Sequence, residues 1–256
     1  MTTAIKLIDL KKKFGDTFIT KGVNLNIPAG KMTIILGRSG EGKSVLLKQI
    51  IGLLKPTSGS IIVDGVDLTT LNDYELDQQF AKFGYVFQFA ALLDSLTVFE
   101  NIGITLLESG INRDVVLPLV KEKLNMVNLS LDTLNKYPSE LSGGMRKRVG
   151  LARTLITNPK IILYDEPTTG LDPITSRVIH ELMYSMQNKL QVTSLMITHD
   201  VESFQYADHI ALLHEGVIKY FGDAKTIWES DNPYIYQFIR GLAQGPIQTD
   251  STYFKK

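Results

Sequence analysis

The sequence predicts an α/β protein: a mostly parallel sheet core with helices on its faces, an N-terminal antiparallel β-subdomain and an inserted α-helical subdomain. Three observations carry that prediction. Four short apolar runs, "MTIIL" from residue 32, "KIILYD" from 160, "TSLMIT" from 193 and "HIALLH" from 209, have the length and composition of strands buried on both faces. Helical spacing separates the first of these runs from the second and the second from the third, and strands alternating with helices imply a mostly parallel sheet. The first thirty residues instead alternate apolar and polar positions, as half-solvated antiparallel strands do.

In chain order, "IKLIDL" and "VNLNI" are strands turned at Gly15-Asp16, and Pro28-Ala29-Gly30 leads into "MTIIL". "GRSGEGKS" follows and opens the helical pattern "VLLKQIIGLL". "GSIIVDGVDL" reads as a further edge hairpin, "DYELDQQFAKF" as a helix and "GYVFQ" as a short strand ending in a polar residue. From about Ala90 to Thr157 the spacing is helical with few β-branched runs, which places the inserted subdomain there. "ITSRVIHELMYSMQNKL" is a helix between the strands from 160 and 193. Pro and Gly residues from about Ser230 suggest a tail leaving the main body. The expected division is a domain over 1–235 and a C-terminal extension over 236–256.

A chain of 256 residues that is 44% hydrophobic can fill a core of this kind. Lys plus Arg and Asp plus Glu balance at 27 each, so no global positive field points to nucleic acid. The absence of cysteine excludes disulfides and thiolate zinc sites, and fits a cytoplasmic protein. No signal-peptide core opens the chain, and no run of about 18 apolar residues could span a bilayer. Work at a membrane would therefore require a partner.

Gly37-Arg38-Ser39-Gly40-Glu41-Gly42-Lys43-Ser44 matches the phosphate-loop pattern G-x-x-x-x-G-K-[ST], between the strand and helix that the pattern requires. Its glycines let backbone N–H groups curl around phosphate oxygens, the helix N-terminus adds a positive dipole end, Lys43 reaches β- and γ-phosphates, and Ser44 can ligate Mg²⁺. The plainer alternative is a glycine-rich turn. Glu41, an acid beside an anion site, is expected to point to solvent. "IILYDEP" puts Asp165 and Glu166 at the carboxyl end of a strand, where ligands of open α/β sheets collect. Strand alternation should aim them differently: Asp165 at Mg²⁺, and Glu166 at a water facing the γ-phosphate. Arg146, Lys147 and Arg148, which follow the Ser142-Gly143-Gly144 stretch, read as a solvated helix face. Read alone, His199 is a helix cap after "SLMIT" and Gln88 a surface turn after "GYVF".

With these motifs in this order the chain resembles the ATP-binding cassette family over nearly its whole length. Gly37–Ser44 look like its Walker A loop, Gln88 its Q-loop glutamine, Leu141–Met145 its "LSGGQ" signature and Ile161–Glu166 its Walker B strand with the catalytic glutamate. Gly170-Leu171-Asp172 look like its D-loop and His199 its switch histidine. The resemblance implies a P-loop NTPase cassette that hydrolyses ATP with Mg²⁺. Glu166, His199 and Gln88 would act in catalysis, and Ser44, Gln88 and Asp165 at the metal. Gly37 to Ser44, with Val45 after them and Ser142, Gly143 and Gly144, would bind the nucleotide. Phe14 sits where the family stacks an aromatic ring on adenine, although Phe18 lies near and an aromatic in this sheet is more often core. The resemblance also implies a second copy of the chain, head to tail, so that the Ser142 turn of one subunit completes the ATP site of the other.

Segments outside the shared motifs resemble the ATPase subunit of Mla-type phospholipid-trafficking transporters: "FQFAALLDSLTVFENI" (87–102), "LSGGMRKRVGLAR" (141–153), "DEPTTGLDPITS" (165–176) and "YQFIRGLAQGPI" (236–247). In that branch methionine commonly follows Ser-Gly-Gly, as Met145 does. It implies an integral membrane permease docked on the segment after Gln88, a membrane-anchored lipid-binding subunit, a small cytoplasmic regulatory subunit and no nucleic acid. The protein would sit peripherally at the cytoplasmic face of the inner membrane through the permease, with its C-terminal extension reaching the second copy. The apolar residues Phe89, Leu92, Leu93, Val98 and Phe99 would line the docking groove or be ordinary core. The alternatives are a cassette for another solute, or a non-transport cassette acting on DNA or ribosomes.

Overall fold

A computed structural model describes residues 2–248. In chain order its elements are β1 (Thr3–Phe14), β2 (Thr17–Pro28), β3 (Met32–Leu36), α1 (Lys43–Ile50), β4 (Ser58–Val63), β5 (Val66–Asp67), α2 (Asp73–Phe80), β6 (Phe83–Val86), α3 (Val98–Glu108), α4 (Arg113–Met126), α5 (Gly143–Leu155), β7 (Ile161–Asp165), α6 (Pro173–Leu190), β8 (Thr193–Thr198), β9 (His209–His214), β10 (Val217–Asp223) and α7 (Pro233–Arg240). They fall into two compact units. The first takes in residues up to Leu71 and those from Ile197, and the second is Asn72–Met196.

In the first unit β2, β1, β4 and β5 form an antiparallel sheet, with Ile5 opposite both Ile27 and Val63, and Leu7 opposite Leu25 and Ile61. Those side chains share one face and are buried, which is what the period-2 pattern dictates. β3 has all five residues buried and pairs in parallel with β9, Ile34 opposite Ile210. β9 continues through a tight turn into β10, antiparallel to it. The strand β10 was not legible in the sequence, because "VIKYFGD" is half-buried almost throughout and shows neither alternation nor an apolar run. Up to residue 248 the tail expected to leave the body is packed down, and residues 249–256 of the expected extension lie outside the described residues. Asn232 caps α7 with Pro233 in its first turn, Ile235 and Ile239 face inward, and Ile247 beyond the helix is buried. The boundary expected at residue 235 thus falls inside a helix.

The second unit holds β6 in parallel with β7, Phe83 opposite Ile161, and strand order continues from β7 to β8, which begins in this unit. Its helical part is α3, α4 and α5, within the span that the spacing assigned. Val98, Phe99, Ile102, Val116, Val120 and Val149 bury their shared faces. The helix starts obey capping rules. Thr97 and Glu100 exchange hydrogen bonds at the head of α3, and Asn72 and Glu75 do so at α2.

Asn101, fully buried on α3, ties the loop after β6 to that helix. It accepts the Leu93 N–H at 2.8 Å and donates to the carbonyls of Leu93 (3.0 Å), Leu96 (2.9 Å) and Thr97 (3.0 Å). Asn101→Ala takes the acceptor from the Leu93 N–H and the side-chain donor from the Leu96 carbonyl, while the Thr97 and Leu93 carbonyls keep backbone partners, so we expect a loss of about 2 kcal/mol, seen as a melting temperature lower by roughly 4–8 °C. An unchanged melting temperature would show that water replaces the amide there.

Candidate functional site

The phosphate loop leaves β3 and enters α1 through Gly42, whose φ of 92° suits glycine alone; a Cβ there would lie 2.6 Å from the Ile19 Cγ2 atom. No side chain caps α1, so its first-turn N–H groups are presented to a ligand. Lys43 is buried and turns its Nζ back onto the carbonyls of Gly37 (2.7 Å) and Arg38 (2.9 Å). An ammonium held over the mouth of an uncapped helix is the donor set that a phosphate chain requires, and the residues fit it. Glu41 corrects the expectation of a solvent-facing acid. Its carboxylate is folded into the protein, Oε1 at 2.8 Å from His214 Nδ1 and Oε2 accepting the Glu215 N–H at 2.6 Å. Ser44 and Val45 lie in the first turn of α1, and His199 is exposed directly after β8. Phe14 is 48% and Phe18 41% exposed, so neither is core, and the Lys12 ammonium lies 5.1 Å over the Phe14 ring.

The second unit carries the acids. Asp165 ends β7, is 8% exposed, and accepts a hydrogen bond on Oδ2 from the Tyr85 hydroxyl at 2.7 Å. Burial, and then the bond to Asp165 and its charge, push the Tyr85 phenol far above its ordinary range, so it stays a donor. Glu166 lies outside the strand with φ 44°, and Thr169 donates its hydroxyl to Glu166 Oε2 at 3.0 Å. The two carboxylates thus have different partners, Tyr85 for Asp165 and Thr169 for Glu166. A carboxylate oxygen such as that of Asp165 is the type of donor that Mg²⁺ takes, one or two from the protein with phosphates and water beside them. Tyr85 orients that carboxylate. For Tyr85→Phe we expect the Mg²⁺ concentration for half-maximal turnover to rise about tenfold. An unmoved Mg²⁺ titration would count against Asp165 as a metal ligand.

Ser142 is the N-cap of α5, its Oγ accepting the Met145 N–H at 3.3 Å. Capping uses an oxygen lone pair, so the hydroxyl keeps a proton to donate outward. Gly144 is required by packing as much as by any ligand, since a Cβ there would meet the Thr175 methyl at 2.7 Å. Of the three cations read as a solvated face, only Arg146 is exposed. Lys147 donates to the Gln88 carbonyl, and Arg148 to that of Asn128 at 2.9 Å. Burial pulls both below their ordinary pKa. Arg153 donates to the carbonyls of Ala90 (3.0 Å) and Ala91 (2.7 Å). Cations spaced along α5 thus hold the backbone of the segment around Gln88. Sequence reasoning missed this role because the partners are main-chain carbonyls about 60 residues away.

The segment after Gln88, the start of α5 and Thr169-Gly170-Leu171 wall a cavity of about 390 Å³. Phe89, 76% exposed, and Leu92 face it or its rim, and Leu93 is also exposed, whereas Val98 and Phe99 are core. Gln88, Ser142 and the D-loop residues are thereby gathered in one unit with Asp165 and Glu166, which lie outside the cavity walls. The phosphate loop, Phe14 and His199 belong to the other.

Residues 20–169 match the family profile described as ABC transporter. Among curated proteins, the chain is 40% identical over 249 residues to "Probable ribonucleotide transport ATP-binding protein mkl" of Mycobacterium leprae, covering 96% of this chain and 72% of that one. It is 39% identical over 263 residues to "Protein TRIGALACTOSYLDIACYLGLYCEROL 3, chloroplastic" of Arabidopsis thaliana, covering 95% and 75%. Its fold resembles the dimeric post-hydrolysis ATP-binding cassette MJ0796 bound to ADP and Pi, with a TM-score of 0.78 at 34% identity, over 86% of this chain and 98% of that one.

Proposed function

The chain belongs to the ABC transporter family, and from that premise we propose that it is the ATP-hydrolysing subunit of a phospholipid transporter, working as a head-to-tail homodimer. Like its family, it is an ATPase that binds ATP with Mg²⁺. The observation that carries the dimer reading is that one chain holds one phosphate cradle and one capped Ser142-Gly143-Gly144 turn. Two copies related by a two-fold axis complete both sites at once, with ATP as part of the interface.

In each site the N–H groups of Gly40 to Ser44 and the Lys43 ammonium hold the phosphates, while Phe14 stacks on adenine. Ser44, Asp165 and Gln88 hold Mg²⁺, which when bound neutralises charge on the β- and γ-phosphates. Glu166 accepts a proton from water as its oxygen attacks the γ-phosphorus; the bond to the β–γ bridging oxygen breaks and ADP leaves. His199 contacts the γ-phosphate. Loss of that phosphate loosens the interface, and the change reaches a permease helix seated in the cavity by Phe89 and Leu92. Lys147 and Arg153 make the Gln88 segment follow α5 in this movement.

The phospholipid cargo is supported by the stretches 87–102, 141–153, 165–176 and 236–247, and by the relative that bears the name of a diacylglycerol glycolipid. The second reading, a ribonucleotide cargo, is favoured by the name of the mycobacterial relative. Among the described residues no helix is long and apolar enough to cross a membrane, and attachment runs through the permease at its cytoplasmic face. A membrane-anchored lipid-binding subunit and a small regulatory subunit complete the proposed assembly. The C-terminal extension offers exposed Tyr236 and Leu242 to the second copy. The test is to purify the subunit from membranes and identify by mass spectrometry what comes with it. An integral membrane protein carrying phospholipid is expected. Bound ribonucleotide without lipid would favour the second reading, and ribosomes or DNA without a membrane protein would overturn the transporter assignment.

A further inference from the structure

Glu41 is an acid inside the loop that must hold a polyanion, where a loose carboxylate would repel phosphate. Its burial is built by residues far away in the chain. His214, the last residue of β9, is 7% exposed at its side chain and Glu41 13%, and their contact places Nδ1 2.8 Å from Oε1. Facing a carboxylate, that nitrogen carries the proton and donates it. The turn after β9, with Glu215 at φ 51° and Gly216 at φ 77°, delivers the Glu215 N–H to the other oxygen. Behind the imidazole, the Tyr234 ring of α7 lies 5.7 Å away.

A second tie joins the same loop to the same helix. Arg38 donates from Nη1 to the Gln248 carbonyl at 2.8 Å. Residue 247 is fixed by the buried amide of Gln237 on α7, which donates to the Ile247 carbonyl at 2.9 Å and accepts the Ile247 N–H at 2.7 Å. Both charged residues of the loop that precede Gly42 are thus committed, Glu41 to the end of β9 and its turn and Arg38 to the segment after α7.

We propose that His214 is a positioning residue for ATP binding: it holds the Glu41 carboxylate away from the phosphates and, with Arg38 on Gln248, fastens the phosphate loop to the end of β9 and the segment after α7. The proposal rests on Gly37–Ser44 being the nucleotide cradle. Without the imidazole, Glu41 is released beside the polyanion.

The test measures the Mg-ATP dissociation constant by calorimetry, with KM and kcat, on the full chain. His214→Ala should raise the dissociation constant and KM about five- to tenfold while kcat stays within about twofold. His214→Asn, whose Nδ2 donor sits where Nδ1 was, should restore near wild-type binding. Adding Glu41→Ala to His214→Ala should restore it too, by removing the charge. If the alanine variant does not fold, His214→Gln, whose donor reaches only the Nε2 position, takes its place with the same expectation. Unchanged binding in His214→Ala or in its His214→Gln substitute, or no recovery in the double variant, overturns the proposal. A wild-type chain that bound no ATP would overturn the cradle itself and this proposal with it.

Discussion

Glu166→Gln is expected to lower ATP turnover about 10²–10⁴-fold while leaving nucleotide bound. The change keeps the shape and the hydrogen bond from the Thr169 hydroxyl, and removes only the ability to take a proton. Binding groups in the phosphate loop are untouched. The variant should therefore retain ATP through gel filtration and run as a dimer in its presence, with no phosphate released. Phosphate release at a near-normal rate would remove Glu166 from the role of base. Turnover that fell together with ATP affinity would point to a disturbed site and not to lost chemistry.

The second large effect separates a site within one chain from a site shared by two. Ser142→Arg and Lys43→Ala should each abolish turnover as homodimers, one by filling the α5 turn with a bulky cation and the other by removing the ammonium over the loop. Mixed in equal amounts, they form heterodimers in which one site has an intact loop from one subunit and an intact turn from the other. Random pairing with independent sites gives about one quarter of wild-type turnover. No activity above either homodimer would count against the head-to-tail arrangement. Because Ser142 also caps α5, its loss alone costs about 1 kcal/mol. The melting temperature of each homodimer therefore has to be measured beside its activity.

What was legible in the sequence was local. The phosphate loop declares itself in eight residues between "MTIIL" and a helix, and β7 with Asp165 and Glu166 follows from one apolar run, so each reading needed only a short window. The buried strands β3, β7, β8 and β9 stand where their apolar runs lie. What failed depended on distant partners. Glu41 was expected in solvent because its donors, His214 and the Glu215 N–H, are about 170 residues away. Lys147 and Arg148 looked solvated because their spacing suits a polar helix face, yet carbonyls of other elements claim them. The tail read as loose because Pro233 and Gly241 are breakers when seen alone, whereas here they start and end α7. Asn101 carried no motif, and only the folded loop gives its amide four bonds.

The backbone at Glu166 sets folding against the proposed chemistry. A left-handed residue with a side chain sits about 1 kcal/mol above glycine at the same angles, so Glu166→Gly would relieve the turn. The exchange should raise the melting temperature by about 2–4 °C while removing the proposed base. Stability and turnover thus pull in opposite directions at this one torsion angle.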